Sequence, residues 1–312
     1  MFTLMIGIVI GIILPLQTAI SVKLRKALRS PLRAALATFF VAAVFLGLLL
    51  IVSGHSLLID QQLIRQQPWW VWIGGFLGVI YVTGNIILFP RLGSVQTVIM
   101  PVLGQIMMSM LIDDFGWFQL AQHRFDWIRG VGSLLILGGI ILTVVVDQHL
   151  EKQKTKSTDH VKLTTRLPWQ TIGILLGMFN ATQTAINGHL GELIHSPIQA
   201  TFISFVIGTL TLLILTLIKD RSLGIYQGLT SGQPWWVWTS GLFGSLFILG
   251  NTFLSPKIGT GLTVSIVLFG QIAGSLLIEK FGWLDAQQKP ISSVKMIGLV
   301  VMLAGVVLIK LV

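Results

Sequence analysis

Six pairs of neutral polar residues stand inside otherwise apolar runs of this chain. They are Gln17 and Gln183, Thr38 and Ser204, Asn85 and Asn251, Thr97 and Thr263, Gln105 and Gln271, and Ser109 and Ser275, and in every pair the second follows the first by 166 residues. A side-chain amide offers donors and an acceptor together. In hydrocarbon it must find a partner, because desolvating it unpaired costs several kcal/mol. Two chemistries follow: hydrogen bonds between helices, worth about 0.6–2 kcal/mol each, or recognition of a polar solute in a shared cavity. Gln17, Gln183, Gln105, Gln271, Asn85 and Asn251 are the candidates for substrate binding, while the hydroxyls of Thr38, Ser204, Ser109 and Ser275 suit packing.

Other chemistries have little to work with. No Asp, Glu, Lys or Arg stands near the middle of an apolar run, which removes the usual proton relays and ion sites of membrane carriers. The deepest carboxylates are Asp113 and Glu279, at equivalent run ends, where they read as interface charges with a possible gating part. The six His residues all fall outside the apolar runs and are expected in loops, none at ligand spacing from a carboxylate, and the chain has no Cys. A phosphate-binding loop is missing too, so the chain does not drive itself with ATP. No catalytic residue, metal or cofactor is expected, and an intramembrane enzyme, which needs convergent acid, base or metal groups, is not favoured.

The elements that must position the amides follow from composition. Of 312 residues, 54% are hydrophobic and only 10% charged, against roughly 25% charged in soluble domains. The mean hydropathy is +0.86. Such a chain cannot build a water-facing surface and must meet lipid. A bilayer core takes about 20 apolar helical residues, and that ruler finds ten runs: 4–22, 32–52, 69–89, 95–112, 128–146, 169–187, 200–218, 235–255, 262–278 and 294–312. Strand-type alternation is absent, so the expected fold is all-α, polytopic and membrane-spanning. The first run has its basic residues after it (Lys23, Arg25, Lys26, Arg29, Arg33) rather than before, the reverse of a signal peptide. The net charge of +10 lies in the short gaps between runs, as topology-setting charge does, so nucleic acid is not an expected partner.

The 166-residue offset extends far beyond the polar pairs. Gln17-Thr18-Ala19-Ile20 recurs as Gln183-Thr184-Ala185-Ile186, Ser30-Pro31 as Ser196-Pro197, and Pro68-Trp69-Trp70-Val71-Trp72 as Pro234-Trp235-Trp236-Val237-Trp238. Gly104-Gln105-Ile106 returns as Gly270-Gln271-Ile272, and Phe115-Gly116-Trp117 as Phe281-Gly282-Trp283. Roughly 50 of about 140 positions are identical without a gap. The chain is therefore two copies of a five-helix unit, 1–147 and 169–312, joined by a polar segment, 148–168, read as a cytoplasmic linker. An odd number of helices per unit forces the second copy to enter the membrane upside down. Basic residues agree: about 16 of 21 follow runs 1, 3, 5, 7 and 9, which makes those loops cytoplasmic and both termini extracytoplasmic. The Trp clusters suit an interfacial belt, and glycines spaced four apart (Gly7/Gly11, Gly173/Gly177, Gly270/Gly274) suit close helix packing. Pro15, Pro101 and Asn180 break the symmetry, facing Ala181, Val267 and Leu14.

The Gln-Thr-Ala-Ile run with its downstream Ser-Pro, the Pro-Trp-Trp-x-Trp entry, the Gly-Gln pair and the Phe-Gly-Trp exit resemble the YdcZ-type family of the drug/metabolite transporter superfamily. The resemblance covers both halves, as two fused units, and implies a small-solute carrier or exporter of the cytoplasmic membrane without naming a substrate. Small multidrug-resistance relatives carry a carboxylate in their first helix; here that helix offers Gln17, which exchanges no proton at physiological pH. The resulting expectation is a secondary transporter, an exporter of a small neutral or amphipathic metabolite by alternating access. Its partners are that solute and the lipid bilayer, and it acts as a monomer or homodimer. The alternative is a channel or a non-transporting structural membrane subunit.

Overall fold

The computed structural model describes residues 2–57, 59–143, 167–224, 226, 228, 230–285 and 291–311, and within these the side chains of 86, 89–91, 93–98 and 285 are left aside. The linker expected over 148–168 therefore lies outside the described residues up to 166, as does the Thr97 side chain. Among the described residues there is no strand. The first unit consists of α1 (Phe2–Leu28), α2 (Pro31–Val52), a short α3 (Gln61–Gln66), α4 (Gly74–Phe115) and α5 (Trp127–Ile141). The second consists of α6 (Leu167–Leu193), α7 (Pro197–Lys219), α8 (Ser240–Ile258), α9 (Thr260–Phe281) and α10 (Ser293–Lys310). Six of the described helical stretches are long and apolar enough to cross a membrane. Their outward surface is apolar, with Phe40, Leu48, Ile214 and Val300 exposed, while Thr38, Gln105, Thr201 and Ser204 are buried. That is the inside-out pattern lipid demands.

The repeated motifs turn out to be punctuation. Ser30 and Ser196 cap α2 and α7, accepting from the backbone N–H of Arg33 and Gln199, with Pro31 and Pro197 at the first helical position where a missing N–H costs nothing. Gly116 and Gly282 end α4 and α9 in the left-handed conformation, φ 61 and 64. That reversal folds Trp117 back on Phe115 and Trp283 back on Phe281, stacked with ring centroids 5.6 and 5.4 Å apart.

One difference from the ten-run reading is local. Runs 69–89 and 95–112 share one continuous stretch of helical backbone, α4, whereas their counterparts are separated at Gly259, φ 81. A straight helix would hold Leu88 and Met100 about 18 Å apart. Yet a Cβ on Gly173 would touch both side chains, at 3.5 and 2.8 Å. The chain therefore bends back between them, and α4 is a hairpin of two limbs, as α8 and α9 are.

The units interlock rather than sit side by side. α1 packs on the α8–α9 hairpin, and α6 packs on α4. The contacts repeat at the internal offset. A Cβ on Gly11 would lie 2.4 Å from the Val267 carbonyl oxygen, and one on Gly177 1.8 Å from that of Pro101. Likewise one on Gly270 would lie 2.4 Å from the Ile8 oxygen, and one on Gly104 1.9 Å from that of Ile174. No side chain fits there, so the backbones meet directly. Helices α5 and α10 show the inversion itself: Gly132 abuts Gly305 and Gly139 abuts Gly298, so residue numbers rise along one helix as they fall along the other. The pseudo-two-fold axis runs between these helices and between α2 and α7, where Phe39 meets Phe205. At one end of α2 and α7, the Asp220 carboxylate takes the Ser30 hydroxyl and pairs with Arg33 at 3.3 Å, tying the units together.

Candidate functional site

Beside the Phe39–Phe205 contact the interlocked units leave a partly open cavity. All four glutamines, Gln17, Gln105, Gln183 and Gln271, line it. Gln105 and Gln183 are buried. Two glycines make room for the amides. A Cβ on Gly78 would lie 2.7 Å from the Gln183 amide nitrogen, and one on Gly244 2.8 Å from that of Gln17. Among the described residues, no Asp, Glu, Lys, Arg or His borders the cavity.

Asn85 and Asn251 do not line it. Each donates its amide N–H to the carbonyl four residues earlier, Tyr81 at 3.0 Å and Phe247 at 2.9 Å. Ser109 and Ser275 also turn back on their own helices, donating to the carbonyls three residues earlier, Ile106 and Ile272. Thr38 bonds Ser240 at 2.8 Å, and Ser204 accepts from Asn187 at 3.2 Å. These two bonds are variants of one contact. Where the first copy has Ser21, the second has the longer Asn187, and the facing position shrinks from Ser240 to Gly74; a Cβ there would collide with the Asn187 carbonyl oxygen.

Tyr81 lines the cavity as well. It is one of only two tyrosines in the chain and faces Phe247 at the repeat offset, a departure from symmetry that could have singled it out. Asn180, one of the symmetry breaks noted in the sequence, also lines the cavity, with Leu14 as its counterpart; Pro101 does not, though its counterpart Val267 does.

The terminal carboxylates form a second, asymmetric arrangement. Asp113, 3% exposed, ends α4 but accepts the backbone N–H groups of Thr260 and Gly261 at 2.7 and 2.9 Å. It thus caps α9 of the other unit, satisfying donors the helix start leaves open. Arg129 stands 3.8 Å from the same carboxylate, and the His123 backbone N–H donates to the Asp113 carbonyl. Glu279 pairs with Lys295, the counterpart of Arg129, at 3.0 Å and is 41% exposed. The Asp113 contact holds the start of α9 and Glu279 stands near its end, so the two carboxylates mark opposite faces of the bundle. At those faces the second Trp of each cluster meets one equivalent residue. Trp70 lies 5.5 Å from His189 and 5.3 Å from Phe118, while Lys23 sits over Trp236 at 4.8 Å.

A family model described as "Putative inner membrane exporter, YdcZ" matches residues 2–142 and again residues 168–308. The chain belongs to this family. The two matches are displaced from 2 to 168 and from 142 to 308, the same 166 residues as the internal repeat, so one match falls on each interlocked unit. The family's assignment makes this chain a multi-pass inner-membrane protein of an exporter family. No curated protein matches the sequence. A solved chain described as "Crystal structure of protein" is similar, with a TM-score of 0.66 at 13% identity, over 99% of this chain and 98% of its own. At that identity the likeness is one of fold.

Proposed function

We propose that this YdcZ-family chain is a secondary transporter that exports a small neutral or amphipathic metabolite by alternating access. The observation that carries the reading is the cavity bordered by Gln17, Gln105, Gln183 and Gln271, contributed as two symmetry-related pairs by both inverted units. Amides there offer donors and acceptors without charge, which suits an uncharged solute and gives an ion no counter-charge. Alternation is supported by the unequal ends: the Asp113 carboxylate bridges the units at one, while its counterpart Glu279 is half-exposed at the other. Inverted units exchange such roles when they rock about the site. In this reading both termini and the Asp113 end are extracytoplasmic, following the basic-residue bias.

The test is flux in proteoliposomes loaded with uncharged metabolites of different classes. Saturable efflux, lost when Gln105 and Gln271 are both changed to Leu in a protein that still folds, is the expected result. Non-saturating flux with single-channel current would replace the carrier by a pore, and absence of flux for every class would end the transport reading.

A further inference from the structure

The cavity is built by symmetry but is not symmetric in chemistry. On the first unit's hairpin stands Tyr81, and on the α6 side stands Asn180. The register of α4 against α6 puts these two at one level: Gly78 meets Gln183 and Gly84 meets Leu176, running antiparallel. The equivalent positions on the opposite wall are Phe247 and Leu14, which also meet at one level, between the Gly244–Gln17 and Gly250–Ile10 contacts. One wall therefore carries a phenol and an amide where the other carries a benzyl ring and an isobutyl group. The glutamines, by contrast, recur on both sides.

Resting on the carrier reading above, we propose that the cavity holds its solute in one fixed orientation. The solute class is an uncharged amphipathic molecule with a hydrogen-bonding end and an apolar, ring-sized end. The polar end lies against Tyr81, Asn180 and Gln105. The apolar end lies against Leu14, Phe247 and Val267, where an unpaired polar group would be desolvated without a partner. Tyr81 and Asn180 are then the specificity-determining residues, and the internal symmetry is broken at the positions that read the solute's polarity.

Binding is measured by calorimetry on the purified full chain in detergent, with three probes: benzamide, a neutral aromatic amide; benzoate, its anionic relative; and acetamide, which lacks the ring. Benzamide is expected to bind most tightly. Tyr81→Phe with Asn180→Leu copies onto the polar wall the residues of the opposite wall, so packing is preserved, and benzamide affinity falls by about tenfold or more. A mirror variant that adds Phe247→Tyr and Leu14→Asn moves the polar wall to the other unit and recovers affinity. Equal affinity in the Tyr81→Phe/Asn180→Leu variant, preference for benzoate or acetamide, or no benzamide binding by the wild type would each overturn the proposal. If the binding pattern holds but proteoliposomes show no flux, the carrier reading falls and the oriented site stands.

Discussion

Phe39 and Phe205 are the same residue of the two units, and their rings meet edge to face with centroids 5.1 Å apart. A residue that touches its own counterpart lies on the pseudo-symmetry axis, so this contact is shared by both units and by the cavity wall. Aromatic pairs of this geometry contribute about 0.5–1.5 kcal/mol beyond area burial. Phe39→Leu and Phe205→Leu are therefore expected to be non-additive, with a coupling of that size in a double-mutant cycle read from denaturation in detergent. Strictly additive losses would show that the rings do not act on each other.

Asp113 holds the other unit's helix at its first turn. Asp113→Ala leaves two buried N–H donors without their acceptor, at a cost of about 2–4 kcal/mol. A cysteine introduced at Ser265, beside the same contact, is expected to react faster with a water-soluble maleimide in this variant than in the parent. Glu279→Ala takes the half-exposed member from an ion pair whose other member, Lys295, is buried, but it removes no cap from a helix of the other unit and is expected to leave the labelling at position 265 as in the parent. Equal gains in labelling from the two variants would deny the asymmetry between the ends.

Backbone contact between helices tolerates no added methyl. Gly177→Ala would press a Cβ to 1.8 Å from the Pro101 oxygen and Gly104→Ala one to 1.9 Å from that of Ile174. Each is expected to lower the melting temperature sharply and reduce the folded yield. Gly138, with nothing within 4 Å of its would-be Cβ, is the control, and Ala there should be neutral or stabilising by up to about 1 kcal/mol. Similar behaviour at all three sites would mean the close crossings are not what holds the units together.

The absence of Cys makes the chain its own labelling background. His55→Cys and Arg221→Cys, at the far ends of α2 and α7, are expected to react with an impermeant maleimide from opposite sides of the membrane, residue 55 from outside. Labelling of both from one side would contradict the inverted arrangement, and labelling of 55 only from inside would reverse the proposed orientation while leaving the inversion intact.

Much of this was legible in the residues. The ungapped offset revealed two units, their odd helix number implied inversion, and the four glutamines stood out because an amide in an apolar run needs a reason. Asn85 and Asn251 looked identical to them in sequence. What separates the two kinds is which way the side chain turns, and an asparagine is short enough to reach its own helix's carbonyl four residues back. Tyr81 passed unnoticed because a lone phenol inside an apolar run reads as one more aromatic. The capping of α9 by Asp113 joins residues 147 apart in the chain and leaves no local pattern. Nor does the bend in α4, whose Pro90 and Gly93 recur as Pro256 and Gly259 without dictating where the helical backbone breaks.

The seating of α1 sets a timetable for biogenesis. It is made well before its partners, since its glycines fit against α8 and α9, which leave the ribosome some 250 residues later, on the order of tens of seconds at usual translation rates. For that interval a helix with a bare small-residue stripe must wait in the bilayer without its mate. A truncated product ending before residue 260 is thus the species most exposed to wrong pairing and to membrane quality-control proteases, whereas α6, whose seat on α4 is already made when it emerges, docks at once.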